Sequence, residues 1–286
     1  MTVKTIGVVG AGAMGGGIAH VAAMAGYNVV LRDIDMKFVD KAVANMDKFM
    51  ARSVEKGKMT EEARKETLTR ITKTTTLDDF KNVDFVIEAV LEKMELKKEV
   101  FQALNNICGP DTIFATNTSS MSVTEIAVAS GRPDRMCGMH FFNPAQLMKL
   151  VEVIHGAHSS EETIKVTTEL ARSFGKTTVQ VKKDSPGFIV NRLLFPYMIE
   201  AARLLQEGVA SVEDIDTAIK LGLNYPMGPF EQYDMGGIEL ATSIMEYFAK
   251  EFDNSNYAPP MILKQRLRAG LIGRKTGEGF YKYDKK

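Results

Sequence analysis

Four histidines stand in the sequence, and a proton-transfer step near neutral pH would draw on one of them. His140 has the most informative setting. It lies near the end of the strand-like run 136–142 (MCGMHFF) and is followed by Asn143 and Pro144. On residue pattern alone, catalysis and core packing both remain open for it. His20 falls in an Ala-rich helical stretch and is expected to pack beside a sheet. His155 and His158 sit in a polar Gly/Ser segment and are expected at the surface. Glu152 interrupts the apolar run 150–154 (LVEVI). A carboxylate buried in such a run needs a partner, and a nearby imidazole would serve. Carboxylate, imidazole and hydroxyl form the usual orienting chain of a general base. Residues 116–120 (TNTSS) make a polar loop directly after another strand-like run. That loop offers hydroxyl and amide donors, including Ser119. The plainer reading is a turn with a helix cap at Ser122 or Thr124.

A second chemistry is written at the N-terminus. Gly10-Ala11-Gly12-Ala13-Met14-Gly15 fits G-x-G-x-x-G, directly after an apolar β-branched run (TIGVV, 5–9) and at the start of a helix. The first glycine permits a tight turn, the second lets a pyrophosphate approach the backbone, and the third allows close helix–sheet packing. The helix N-terminus then faces the phosphates. Asp33 ends the second strand about 20 residues on, where a carboxylate meets ribose hydroxyls. A 2′-phosphate would be repelled there, which favours NAD, while the neighbouring Arg32 leaves NADP open.

These residues need a scaffold that brings strand ends together. Strands are expected over 5–9, 28–31, 84–90, 112–116, 136–142, 150–154 and 178–181. Helices are expected over 13–25, 37–56, from Thr60 onward, 97–107 and 123–129. Alternation of this kind implies an α/β fold with a doubly wound parallel Rossmann-type sheet. The segment 37–56 and the helix after Thr60 read as a helical hairpin inserted between strands. Ligands of such sheets bind beyond the carboxyl ends of the strands, where His140 and Ser119 fall.

After Lys183 the texture changes. Pro186 suits a first helical turn, and an apolar stripe from Phe188 to Leu205 follows it until Gly208. Further helices are expected over 211–222 and 239–252, and only 279–283 (GFYKY) still resembles a strand. The boundary is therefore placed near Asp184. Residues 1–184 form an NAD-binding Rossmann-type domain, and residues 185–286 an all-helical C-terminal domain.

Bulk properties narrow the function. The 286 residues carry 36 Lys plus Arg against 36 Asp plus Glu, which gives no reason to expect nucleic acid or membrane as a partner. Two cysteines, Cys108 and Cys137, are too few for a disulfide framework and read as reduced thiols. The N-terminus lacks the pattern of a secretory signal, no apolar stretch is long enough to span a bilayer, and a cytoplasmic location is expected. No metal is expected.

Several further motifs converge on one family. Asn117-Thr118-Ser119-Ser120, Met139-His140-Phe141-Phe142-Asn143-Pro144, Lys149 to Ile154, Pro186 to Arg192, Tyr225-Pro226-Met227-Gly228-Pro229 and Lys275 to Tyr281 closely resemble the short-chain L-3-hydroxyacyl-CoA dehydrogenases, the bacterial 3-hydroxybutyryl-CoA dehydrogenases among them. The resemblance covers essentially the whole chain. It implies NAD-dependent interconversion of (S)-3-hydroxybutyryl-CoA and acetoacetyl-CoA, with His140 and Glu152 as the acid–base pair. Ser119 and Asn191 would hydrogen-bond the reacting oxygen or nearby substrate and cofactor atoms. Glu92, Lys97, Asn143 and Lys275 would touch the NAD side, and Lys56 the coenzyme A part of the acyl-CoA thioester. A homodimer formed largely through the helical domain is also implied. Gln146 departs from the proline found in many relatives. Two alternatives keep the fold: a dehydrogenase of a free hydroxy acid or sugar acid, and a catalytically silent NAD-binding protein.

Overall fold

The structure, a computed structural model, describes residues 2–284, so the outermost residues of both expected domains lie outside it. The chain divides into two compact units, the first ending at Phe188 and the second starting at Ile189.

In the first unit, β1 (Thr5–Val9) runs through the glycine turn into α1 (Ala13–Met24), followed by β2 (Asn28–Arg32). The inserted hairpin comprises α2 (Met36–Glu55) and α3 (Glu61–Thr69), the latter capped by the Thr60 side chain, which accepts from the Ala63 amide. β3 (Ile71–Thr74), β4 (Phe85–Glu88), α4 (Met94–Ile107), β5 (Ile113–Thr116), α5 (Val123–Ala129) and β6 (Met136–Phe141) come next. β7 (Leu150–Ile154), α6 (Glu161–Ser173) and β8 (Thr177–Val181) complete the unit.

The strands form one eight-stranded sheet in the order β3-β2-β1-β4-β5-β6-β7-β8. Val8, Leu31 and Ile87 bury one face against α1, α2 and α6, while Val9, Val86 and Phe114 bury the other against α4 and α5. With both faces covered, the central strands are apolar throughout rather than alternating. β1 and β4 are neighbours although β2 and β3 lie on the far side of β1. The direction of winding therefore reverses between them, and this opens a crevice at their carboxyl ends.

The sheet is not parallel throughout. β7 runs antiparallel to β6, and β8 is parallel to β7. A parallel return needs a crossover of a dozen or more residues, and the bend 142–149 between β6 and β7 contains no helix. Other departures from the expected elements are local. β3 at the sheet edge and the Thr-rich α6 were not expected. Pro186 does not open a helix: Gly187 and Phe188 take positive φ of 74° and 55°, which breaks the chain before the next helix starts.

The second unit is helical: α7 (Val190–Gln206), α8 (Val212–Gly222), α9 (Pro229–Gly236), α10 (Ile238–Glu251) and α11 (Met261–Arg268). The short α9 and α11 were not expected. Phe195, Met198, Phe230, Tyr233, Met245, Phe248 and Leu263 form its core. The tail 279–283 makes isolated bridges instead of a strand. Two buried carboxylates fasten it. Asp234 accepts from the amides of Phe280 and Tyr281 at 2.8 Å each, and Asp216 accepts from the Tyr281 hydroxyl at 2.9 Å. No described helix is long and apolar enough to cross a membrane.

Candidate active site

The antiparallel ladder places His140 directly opposite Glu152. Opposed residues of a strand pair project to the same face, and here the two side chains meet. His140 Nδ1 lies 2.7 Å from Glu152 Oε2, with the glutamate side chain fully buried and the imidazole 6% exposed. A carboxylate can only accept, so Nδ1–H donates to it and Nε2 is left with its lone pair for proton exchange. Phe142 and Phe188 flank the ring at centroid distances of 4.5 and 5.6 Å. The imidazole is thus fixed by a hydrogen bond at one nitrogen and by aromatic packing around it.

The loop after β5 is tied to the same strand end. Asn117 Oδ1 accepts from the Phe141 amide at 2.8 Å, extending the β5–β6 pairing past its last ladder position. Thr118 Oγ1 donates to Glu92 at 2.5 Å, and the Ser119 amide donates to the same oxygen at 2.8 Å. Ser122 caps α5, as one of the two expected candidates, and Asp184 accepts from both the Ser122 hydroxyl and the Thr124 amide at 2.8 Å.

The glycine turn fits a dinucleotide. A Cβ on Gly12 would meet no protein atom within 4 Å, whereas one on Gly10 (φ +102°) would lie 2.5 Å from the Ala89 carbonyl oxygen. A Cβ on Gly15 would collide with the Gly10 carbonyl oxygen. Gly10 and Gly15 are therefore demanded by the protein's own packing, while Gly12 keeps open space beside a helix start that no described side chain caps. Asp33 closes the turn: its Oδ2 accepts from the Ala11 amide at 2.6 Å and its Oδ1 from the Ile34 amide at 2.7 Å. An open backbone cradle at a helix N-terminus, bounded by a carboxylate, suits a pyrophosphate and an adjacent ribose diol.

The remaining candidates divide by unit. Asn143 is exposed just beyond His140, and Lys56, the C-cap of α2, is exposed beside Arg52 and Lys58. Lys97 is buried beside another expected NAD-side residue, Glu92. Its side chain is 1% exposed, and its ammonium lies 2.8 Å from Glu88 and 3.1 Å from Glu92. Burial opposes its charge, but the two carboxylates raise its pKa above the ordinary lysine value. Asn191 is the second residue of α7 in the second unit, where Lys275 also lies, paired with Glu239 at 2.9 Å.

Sequence reasoning named Asn117 and Thr118 only as part of a donor loop, and missed Glu88 and the aromatic pair around His140. Glu88 had a visible signal, a carboxylate inside the apolar run 85–90 (FVIEAV). The other histidines lie where expected or nearly so: His20 is buried, His158 exposed, and His155 half-buried with Nε2 2.8 Å from Gln180. Both cysteines are buried and free, and burial pushes their thiols up, to about 11 for Cys108 and about 12 for Cys137. Neither is a nucleophile at neutral pH.

Known proteins resemble the chain along nearly its whole length. Residues 5–185 match the family model described as 3-hydroxyacyl-CoA dehydrogenase, NAD binding domain, and residues 187–283 match its C-terminal domain. A probable 3-hydroxybutyryl-CoA dehydrogenase of Deinococcus radiodurans is 46% identical over 97% of this chain and 99% of its own length. A 3-hydroxybutyryl-CoA dehydrogenase of Clostridioides difficile is 44% identical over 98% and 99%. The crystal structure of (S)-3-hydroxybutyryl-CoA dehydrogenase from Ralstonia eutropha superposes with a TM-score of 0.96 at 43% identity, covering 99% of this chain and 100% of that one. Matched along nearly its whole length in sequence and in backbone, the chain belongs to the 3-hydroxyacyl-CoA dehydrogenase family.

Proposed function

We propose that this protein interconverts (S)-3-hydroxybutyryl-CoA and acetoacetyl-CoA with NAD as the redox partner. The observation that carries the reading is the His140–Glu152 hydrogen bond of 2.7 Å at the carboxyl edge of the sheet that also bears the glycine turn. The names of the relatives at 44–46% identity support the choice of substrate.

The chain's own residues divide the work as follows. Gly10, Ala11, Gly12, Ala13, Met14 and Gly15 cradle the pyrophosphate, and Asp33 binds the ribose hydroxyls. Glu92, Lys97, Ser119, Asn143 and Lys275 serve the nicotinamide half. Bound NAD supplies a hydride acceptor for the substrate's C3. His140 Nε2 takes the proton of the 3-hydroxyl during oxidation and returns one during reduction. Glu152 holds the ring through Nδ1–H and stabilises the imidazolium as it forms. Ser119 and Asn191 hydrogen-bond the reacting oxygen, and Lys56 meets the coenzyme A phosphates as a cation. Asp33 favours NAD over NADP because a 2′-phosphate would approach a carboxylate.

The same reading makes residues 1–184 the cofactor domain and residues 185–286 the substrate-cleft and dimerisation domain. Leu193, Leu221 and Leu223, exposed on the second unit at 71%, 81% and 57%, suit burial against a second copy. Free buried thiols suit a reducing cytoplasm.

The deciding assay follows NADH consumption with acetoacetyl-CoA, beside NADPH and beside free acetoacetate. Turnover with NADH and the thioester, at least about tenfold above either control, is the expected result. Equal rates with free acetoacetate would move the substrate assignment to a free acid. Light scattering is expected to give twice the chain mass.

A further inference from the structure

β6 and β7 bury their two faces in different ways. Cys137, Met139, Phe141, Val151 and Val153 join residues of α6 in the large core of the first unit. Gly138 and His140, with Ile154 and Glu152 opposite them, line the other face. Among the described residues the buried apolar cluster there is small, formed by Val123, Ile154, Val181 and Phe188. Phe188 supplies its aromatic ring, 4% exposed, with the His140 ring 5.6 Å away between centroids.

The chain brings Phe188 to this place by a strained route. β8 stops at Val181, level with Ile154 and Gly138 and so two positions short of His140. The chain then turns back. Asp184 Oδ2 accepts from Ser122 Oγ and from the Thr124 amide, which ties it to the start of α5. The Phe188 amide donates to the Ser185 carbonyl at 3.0 Å and closes a turn. Gly187 and Phe188 both take left-handed backbone there. A phenylalanine in that region is an outlier that its surroundings must hold in place. The turn alone would be easier with a second glycine, so what the position keeps is the side chain. Phe142 also meets the imidazole, but it lies two residues along the chain from His140 and shifts with it. Phe188 comes from a separate segment with its own anchor on α5, and so holds the ring against an independent reference.

We propose that Phe188 is a positioning residue for His140, and that Asp184 is the latch that keeps it in place. The Phe188 ring fixes the plane of the imidazole and keeps water away from its hydrogen bond to Glu152. Such a bond is stronger where water does not compete for it. The proposal rests on the reading above only in taking His140 as the group that carries the proton. It makes the start of α5, Asp184 and Phe188 one device with its effect at the imidazole.

The test compares Phe188→Ala, Asp184→Ala, Asp184→Asn and the double alanine variant, each first checked for folding by urea unfolding. Modification by diethyl pyrocarbonate, located by peptide mass spectrometry, needs no substrate and comes first. Exposed His158 is the internal reference. At neutral pH, His140 is expected to react about tenfold faster relative to His158 in both alanine variants. Asp184→Asn should keep the parent's reactivity, because its amide oxygen still accepts both α5 donors. In acetoacetyl-CoA reduction, kcat should fall about 30-fold in Phe188→Ala and about tenfold in Asp184→Ala. NADH affinity and the KM for the thioester should stay within about threefold. Asp184→Asn should recover most of kcat, and the double variant should be no slower than Phe188→Ala. Unchanged His140 reactivity in a folded alanine variant overturns the proposal. So do losses that multiply in the double variant, or an Asp184→Asn as slow as Asp184→Ala. Should Phe188→Ala not fold, the two Asp184 variants carry the test. A parent protein without turnover would defeat the proposed reaction and leave the reactivity of His140 to decide the positioning.

Discussion

Two carboxylates are buried to the same degree in this sheet, Glu88 on β4 and Glu152 on β7, both at 0% exposure. Their partners differ. Glu88 is matched by a lysine whose pKa is raised, a threonine hydroxyl and an amide. Glu152 is matched by an imidazole, the one partner type that gains and loses charge near neutrality. The comparison teaches how one scaffold separates holding from reacting. A carboxylate with a permanent cation fixes geometry, and in the proposed function a carboxylate beside an imidazole serves proton transfer.

The comparison breaks first at the reacting pair. His140→Gln is expected to lower kcat about 10³-fold, within the range of general acid–base catalysis, with NADH affinity by fluorescence titration unchanged. Glu152→Gln should lower kcat about 100-fold, since a neutral amide orients the ring without stabilising its positive charge. At the holding pair the loss appears in stability. Glu88→Gln removes one partner of a buried ion pair and should cost about 3 kcal/mol in urea unfolding.

His20 sharpens the contrast from the opposite side. It is fully buried against Phe49, and neither ring nitrogen has a hydrogen-bond partner. Burial lowers its pKa from 6.5 to about 4. The folded value lies below the unfolded one, so the unfolded chain takes up the proton first. Stability is therefore whole above pH 6.5 and is lost as pH falls towards 4, by roughly 3 kcal/mol at 1.36 kcal/mol per unit. His20→Leu should flatten that acid slope in denaturant midpoints measured between pH 7 and 4. The smallest effect is expected at the glycine turn. Asp33→Ala should weaken NADH about tenfold, near 1.4 kcal/mol, and narrow the preference over NADPH, both read by fluorescence titration.

Much of this scaffold is legible in the residues. β1, β7 and α5 have the limits that their apolar runs and caps suggest, because β-branched runs bounded by glycine or polar loops leave few other solutions. β3 was hidden because an edge strand of sequence ITKT exposes its two central residues and shows no apolar signature. α6 was hidden by its threonines, which carry strand preference into a helix that tertiary burial enforces. The reversal of β7 was hidden although the short bend before it had no room for a crossover. Within the site, Glu152 was legible because a histidine stood 12 residues away to explain it. Glu88 bears the same signature, an acid in an apolar run, but its explanation is a lysine on a helix. Lysine spacing alone does not announce burial.

The opposed register of His140 and Glu152 has a consequence for how this chain tolerates changes in length. Adding or deleting one residue inside β6 or β7 would turn every later side chain of that strand to the other face and part the couple. The bend beyond Asn143 carries no such constraint, since only the ladder sets which residues meet. Insertions that disable the protein are therefore expected within the strands, and ones it survives at the bend.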